Sequence, residues 1–519
     1  MSASSCRLIA RAPEGDRDAA TVMRDGDVLA SHLEDAAHFT GGHATELAVP
    51  SSEAQVANLL RGSRTCLPIG SQSSLTGGAT PMGETLVSTA RFHRIEIAGS
   101  ERVRVGSGVT ITELDRALEE AGLSYPPAPT FYGATIGGTI ATNAAGAATF
   151  KYGTTRNWVD AITVVLPDGD VLDIDRGRTS AHADGYFELQ LARRAVRIDV
   201  PRYRMPQVAK LSAGYFASPA MDLIDLFIGS EGTLGIVTAA TLRVLPKRPI
   251  LCLALAFFEE RTPAIAFVRH LREISARRER TGIDAAAIEH MDARCLALIR
   301  ADGLDRANGI RIPAEAQMAL LVTIELPGNA AAQDEVLARF AGLLAHAGAL
   351  DHVEIAAPGE RGRAAQLLAV REAVPAAVNA RVGRAKQSID PRIEKTAADM
   401  IVPFDRLEQL LARYDAAFSS RGLDAAVWGH ISDGNVHPNV IPRSLADVES
   451  GKAAILELGR EVLRLGGAPL AEHGVGRNPV KQQLLRMMYG DAGIDEMRRV
   501  KRAIDPEWKL SPGVLFAEA

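Results

Sequence analysis

The chain of 519 residues is too long for one small module; at ~150 residues per domain it is sized for about two to four. Lys+Arg (58) and Asp+Glu (63) give a net charge of −5, so no basic excess recruits nucleic acid. With 47% hydrophobic and 23% charged residues the composition is that of a folded protein and excludes wholesale disorder.

The opening MSASSCRLIARAPEG has no apolar core of signal-peptide length. Residues 1–45 are polar and read as a lead-in with a helix. From 46 to 248, short β-like runs alternate with glycine-rich turns: ETLVST at 84–89, RVRVGSG at 102–108, AITVVLPDGDVLDI at 161–174 and LGIVTAATLRVL at 234–245. Asp-Gly at 168–169 between apolar runs signals a hairpin. TITELDRALEEAG, after Val109, is a capped amphipathic helix closed by Gly122. The charged, poorly periodic stretch 175–222 reads as an insertion making excursions on the surface. From 249 the texture changes. ILCLALAFF at 250–258 is far short of the ~20 residues of a spanning helix and reads as a buried strand. Helix-like TPAIAFVRHLREISARR follows it, and strand-like MALLVTIEL (318–326) is followed by helix-like AAQDEVLARFAGLLAHAG. The units 250–278 and 318–348 form a weak internal repeat. Alternating strands and helices predict an α+β sheet with helices on one face. Cys6, Cys66, Cys252 and Cys295 form no CxxC pair, which disfavours a disulfide framework, a Cys-type zinc site and an iron–sulfur cluster. The chain is expected to be cytoplasmic, with peripheral docking at the inner membrane left open.

Four constellations carry chemistry. PIGSQSSLTGGATP (68–81) is a Gly/Ser loop whose backbone N–H groups can approach a phosphate; the plain alternative is a surface loop. PPAPTFYGATIGGTIATNAAGAATFKYGTTRNWV (126–159) holds a small-residue run on which a large flat ligand can lie, or which packs tightly on a helix. DLFIGSEGTLGIVTAATLRVLP (225–246) places Glu231 among glycines, where a buried carboxylate accepts backbone hydrogen bonds. WGHISDGNVHPNV (428–440) and AEHGVGR (471–477) bring His430 and His437, seven apart across a DGN turn, together with Glu472 and His473. Two imidazoles and a carboxylate suit Zn²⁺ or Mn²⁺ with positions open for substrate; satisfied core histidines are the alternative. Glu472 and His473 point to opposite sides of an extended segment, so one can bind metal while the other faces substrate.

The first three clusters, in this order, resemble the FAD-binding domain of the vanillyl-alcohol oxidase/para-cresol methylhydroxylase (PCMH) flavoproteins. The resemblance implies that FAD is held by Pro68, Gly70, Ser71, Gln72, Ser73, Ser74, Thr76, Gly77 and Gly78 of the first cluster. Pro129, Thr135, Gly137, Gly138, Asn143, Gly146, Tyr152 and Gly153 of the second and Glu231, Gly232 and Ile236 of the third complete the set. Residues 70–74, GSQSS, carry fewer glycines than the usual GGGTS-like loop. The fourth constellation resembles the C-terminal domain of the FAD-linked 2-hydroxy acid dehydrogenases, the group of D-lactate dehydrogenase, the glycolate oxidase flavin subunit and D-2-hydroxyglutarate dehydrogenase. By that resemblance His430, His437 and Glu472 hold the metal, Asn439 contacts substrate and His473 is the base. Arg371, in LAVREAVPAAVN, matches an arginine that clamps the substrate carboxylate; an ordinary solvated helix arginine is the alternative. A lysine used by some members for a second carboxylate has two candidates, Lys386 and Lys395. Lys210, in KLSAGYF, matches a K-x-x-x-G-Y element near the flavin or substrate entrance, or is a solvated loop lysine.

The implied fold is α+β: a two-domain flavoprotein with a PCMH-type FAD-binding domain (46–248, with the 175–222 insertion) and an antiparallel-sheet-plus-helices substrate or cap domain (249–470). The lead-in 1–45 would pack on the FAD domain and 471–519 would return to it. The implied activity is oxidation of a D-2-hydroxy acid to the 2-oxo acid, the hydride passing to flavin N5. Electrons would leave to a separate acceptor, a cytochrome, a quinone or an electron-transfer protein. A homodimer is left open. Two other readings stand beside it: a flavoprotein of this fold with another substrate class, like the ether-lipid synthases, and a zinc hydrolase built on His430, His437 and Glu472.

Overall fold

The computed structural model describes residues 5–127, 129–277 and 282–518. Residues 1–4 and 519, at the outer ends of the expected 1–45 and 471–519 segments, lie outside the described residues, as do Ala128 and Arg278.

The glycine-punctuated part forms two sheets. A four-stranded sheet orders Thr21–Met23, Leu47–Val49, Thr85–Ser88 and Cys66–Ile69, its last three strands parallel. A five-stranded antiparallel sheet orders Ile95–Ala98, Arg102–Gly106, Ile236–Arg243, Val159–Val165 and Val171–Asp175. The last two are the hairpin read at Asp168–Gly169, with Gly169 at φ +85° as its turn demands. Helix Ile111–Glu120 starts with the reciprocal Thr110–Glu113 capping box.

Two readings change here. The lead-in contributes strands Arg7–Ile9 and Thr21–Met23 and only a five-residue helix, Gly26–Ala30. The 175–222 stretch is packed, not an excursion. Its strands Tyr186–Gln190 and Ala195–Asp199 pair with each other, and Tyr186–Gln190 pairs in parallel with Arg7–Ile9. Phe187, Leu189, Val196 and Ile198 are buried while their neighbours are not. That alternation is the period of a half-buried strand, and the surrounding arginines mask it.

The second part is one eight-stranded sheet. Its order is Val353–Ala356, Ile250–Phe258, Met318–Leu326, Asp284–Asp292, Ala425–His430, Asn435–Val440 and Thr396–Ala397; Met400–Ile401 also pairs with Asn435–Val440. Its first four strands take the order of a split βαβ unit, which is why the two strand–helix segments looked like a repeat. Helices cover both faces, not one. Arg261–Arg277 and Ala330–His346 pack on the face of Cys252, Ala254 and Ala256, with Phe267 and Phe340 at 6.1 Å. Ala293–Ala301 and Arg361–Ser388 pack on the face of Leu253, Leu255 and Phe257. ILCLALAFF has no polar alternation, as a strand buried on both sides requires.

The two parts touch through named contacts. Lys151 pairs with Asp284 and Glu325 at 2.6 Å each; the C-terminal segment packs back on the first part, where Lys501 donates to Thr233 O at 2.8 Å. Among the described residues no helix is long and apolar enough to cross a membrane.

Candidate active site

The strand Cys66–Ile69 delivers the loop that follows it onto the N-terminus of helix Ile136–Ala141. Thr135 caps that helix at Gly138 N, 3.3 Å. A Cβ on Gly70 would stand 2.1 Å from Thr135 Oγ1, so only glycine permits this approach. All three glycine-rich clusters meet there around a cavity of about 290 Å³. Pro68, Gly70, Ser71, Gln72, Ser73, Ser74, Gly78, Pro129, Thr135, Gly137, Gly138, Glu231, Gly232 and Ile236 line it, joined by Glu472 and His473.

Six expected residues lie outside this wall. Thr76 O accepts from Arg477 N and Asn478 N, and Gly77 turns at φ +74° beneath Phe39. Asn143 binds Leu211 O and Arg156 N. Gly146 N donates to Thr149. Tyr152 bonds Glu325 of the large sheet, and Gly153 turns at φ +77°. These residues serve the frame around the cavity, through turns, backbone bonds and, for Tyr152, a side-chain bond to the large sheet.

Glu231 fixes one side of the cavity. It adopts φ +51°, and its two oxygens accept Val475 N and Gly476 N, each at 2.8 Å. Glu231→Gln leaves one buried N–H facing an amide, so a loss of about 1–3 kcal/mol of stability is expected; urea unfolding checks it.

The second half of the site is the hairpin of Ala425–His430 and Asn435–Val440, in which Trp428 faces His437. Gly429, at φ +145°, lets the His437 ring approach: a Cβ would sit 2.8 Å from its Cδ2. His430 lies opposite Glu289 on the neighbouring strand. The His430 Nδ1 bonds the Glu289 carboxylate, whose other oxygen is 2.8 Å from Arg371 Nη2. The His437 Nδ1 is 3.3 Å from Asp399 Oδ1. Asp399 Oδ2 accepts the backbone N–H groups of Glu472 (2.6 Å) and His473 (2.8 Å) and lies 3.4 Å from His473 Nδ1. Three ring nitrogens then converge on one atom. Glu472 Oε1 is 3.4 Å from His430 Nε2, 3.6 Å from His437 Nε2 and 3.3 Å from His473 Nε2.

The electrostatics follow from burial against close partners. Burial holds the His437 imidazole down to about 4, against the pull of Asp399 and Glu472; it is neutral at neutral pH. Burial works to raise the Asp399 carboxyl, but His473 and His437 hold it well below the usual range. Glu472 is held low in the same way by Lys210 and His430.

The donors fit a divalent ion. His430, His437 and Glu472 each offer one atom, all within 4.8 Å of one another. Tetrahedral bonds near 2.0–2.1 Å would set ligand atoms roughly 3.3 Å apart, close to the spacings around Glu472 Oε1. A carboxylate stands at the far nitrogen of each imidazole, bonded at His430 Nδ1 and 3.3 Å away at His437 Nδ1, the place where ligating imidazoles carry an outer partner. Glu289, Asp399, Asp433 and Glu472 gather around the site; Arg371 pairs with Glu289, Lys210 with Asp433 and Glu472, and the buried Lys481 acts on Asp399 and Glu472.

The other expected residues fall as follows. Asn439 is buried and donates to His437 O at 2.8 Å. Arg371 is not solvated: it is 7% exposed. Lys386 sits in the last helical turn, and Lys395 Nζ lies 5.5 Å from the Trp428 ring. Lys210 is not a solvated loop residue; its side chain is fully buried on Glu472 and Asp433. Sequence reasoning missed Glu289 and Asp399. Glu289 is an acid in the buried middle of the strand DAAAIEHMD and Asp399 the one acid of AADMIVP, and that mismatch was the available signal.

Comparison with known proteins matches residues 252–515 to the family described as FAD linked oxidases, C-terminal domain, and residues 45–175 to an FAD binding domain. The glycolate oxidase subunit GlcD of Bacillus subtilis (strain 168) is 29% identical over 87% of this chain and 84% of its own. A D-lactate dehydrogenase of Archaeoglobus fulgidus is 28% identical over 89% of both. A D-2-hydroxyglutarate dehydrogenase of Stutzerimonas stutzeri is 27% identical over 96% of both. Among solved structures, 4-ethylphenol oxidase from Gulosibacter chungangensis superposes with a TM-score of 0.66 at 17% identity, covering 96% of this chain and 94% of that one. An alkyldihydroxyacetonephosphate synthase gives 0.62 at 16%, covering 95% and 82%. These two likenesses are of fold.

Proposed function

The chain belongs to the FAD-linked oxidases, and from that premise we propose that it oxidises a D-2-hydroxy acid of the lactate, glycolate or 2-hydroxyglutarate kind to the 2-oxo acid, with FAD as oxidant and a divalent metal, Zn or Mn, in the site. The observation that carries this reading is His473: it lines the glycine-built cavity and also closes on the His430–His437–Glu472 cluster. A base stands where flavin and metal site meet. The units assigned are 46–248 for the cofactor and 249–470 for the substrate, with 471–519 returning to the first; the Arg477–Glu84 pair and the Lys501–Thr233 contact support that return. A zinc hydrolase has no use for the FAD-binding segment and is set aside.

Bound flavin supplies hydride acceptance at N5, and a divalent ion supplies Lewis acidity. The chain's own residues do the rest. His430, His437 and Glu472 would hold the ion. Asp399 Oδ2 lies 3.4 Å from His473 Nδ1, which leaves His473 Nε2 as the atom that would take the hydroxyl proton. Arg371 would hold the substrate carboxylate. Only its Nη2 is committed to Glu289; Nε is buried without a partner among the described residues, and an unspent buried guanidinium donor calls for an anion. Asn439 would complete the substrate contacts. Electrons then pass to a separate acceptor.

Arg371→Lys keeps a cation beside Glu289 but loses the fork. The expected result is a roughly 10–100-fold fall in kcat/KM, the worth of one or two charged hydrogen bonds, with a melting temperature near wild type. Steady-state kinetics and a thermal melt check it. The function itself is tested by turnover of a panel of D- and L-2-hydroxy acids with an artificial electron acceptor. Activity confined to D-acids is expected; turnover of none, or of L-acids only, contradicts the proposal.

A further inference from the structure

Lys210 belongs to the 175–222 stretch on the cofactor side, yet its fully buried side chain pairs with Asp433 of the substrate part and with Glu472 of the C-terminal segment. Its Nζ lies 2.7 Å from Glu472 Oε2 and 3.2 Å from Asp433 Oδ2. The two oxygens of Glu472 therefore look in opposite directions: Oε2 toward the ammonium, Oε1 toward the three imidazoles. A carboxylate free at both oxygens can chelate a divalent ion or swing between binding modes. A charge-assisted hydrogen bond on one oxygen removes that freedom. Asp433 sits in the hairpin turn between His430 and His437 and would be a competing ligand. The same ammonium is its ion-pair partner at 3.2 Å, and neither of its oxygens makes a hydrogen bond among the described residues.

Resting on the metal reading above, we propose that Lys210 is a positioning residue that restricts Glu472 to ligation through Oε1 alone and keeps Asp433 out of the ligand set. Coordination positions then stay open for the hydroxyl and carboxylate of a chelating 2-hydroxy acid. A lysine that only ties two units together would have no effect on how Glu472 binds an ion.

A crystal structure of the zinc-loaded wild-type enzyme tests this, with Lys210→Gln and Lys210→Arg assayed beside it. Expected are zinc on Glu472 Oε1 with Oε2 still on Lys210, and in Lys210→Gln retained zinc with a KM raised about 10–100-fold, the usual reach of an outer partner. Lys210→Arg should recover most of that KM. Zinc chelated by both Glu472 oxygens, or bound by Asp433, overturns the Lys210 assignment while leaving the metal reading intact. So does a Lys210→Gln enzyme that loses zinc or keeps the wild-type KM. If that variant does not fold, the wild-type structure alone decides. A wild-type enzyme that takes up no zinc overturns the metal reading, and this proposal with it.

Discussion

His473→Ala is expected to bind FAD as the wild type does and to turn over a D-2-hydroxy acid about 10²–10⁴-fold more slowly, the range a positioned general base contributes. Two features separate chemistry from cofactor binding here. The cavity proposed for the flavin is built mainly from backbone and small residues of the 68–81, 126–159 and 225–246 segments, to which His473 adds one partly exposed ring. Its Nδ1 lies 3.4 Å from Asp399, a carboxylate that accepts the backbone N–H groups of residues 472 and 473. The loop is thus held by its main chain, and deleting the imidazole leaves it in place. Rapid-reaction measurement of flavin reduction reads the step directly. A normal reduction rate in His473→Ala removes the base from the account; loss of FAD would mean the residue serves the cavity instead.

His437→Ala is expected to lose metal and turnover together. The imidazole is buried, and burial keeps it neutral at neutral pH, as a ligand must be. Its ring points one nitrogen at Asp399 and the other at Glu472 Oε1. Removing one of the three proposed protein ligands should weaken metal binding well beyond the roughly 10–100-fold of an outer partner. It also strips Asp399 of one of its two histidines, so the His473 orientation suffers as well. Metal analysis after dialysis, paired with turnover, checks it. Full activity in wild-type protein stripped by a chelator contradicts the metal assignment whatever the variant does.

Local pattern carried far in this chain. MALLVTIEL is strand Met318–Leu326 residue for residue, the DGN turn is the hairpin that pairs Trp428 with His437, and Thr110–Glu113 is a true capping box. What local pattern could not carry was partnership. The both-faced burial of ILCLALAFF was written in its lack of alternation, but which helices cover each face depends on chain order in space. The strands at 186–190 and 195–199 are short and ringed by arginines, so their period was overlooked until their buried faces were seen. Glu289 and Asp399 carry no motif; only the sheet register and the loop geometry bring them behind the histidines. Arg371 was found by its neighbours in sequence, yet its pairing with Glu289 comes from a strand some eighty residues away.

The most direct test of the account is the visible spectrum of the purified protein, recorded anaerobically while D- and then L-2-hydroxy acids are added. The account predicts a flavin spectrum bleached by a D-acid and not by its enantiomer, with bleaching abolished after metal removal and restored by zinc or manganese. A flavin that no 2-hydroxy acid of either hand reduces would contradict it.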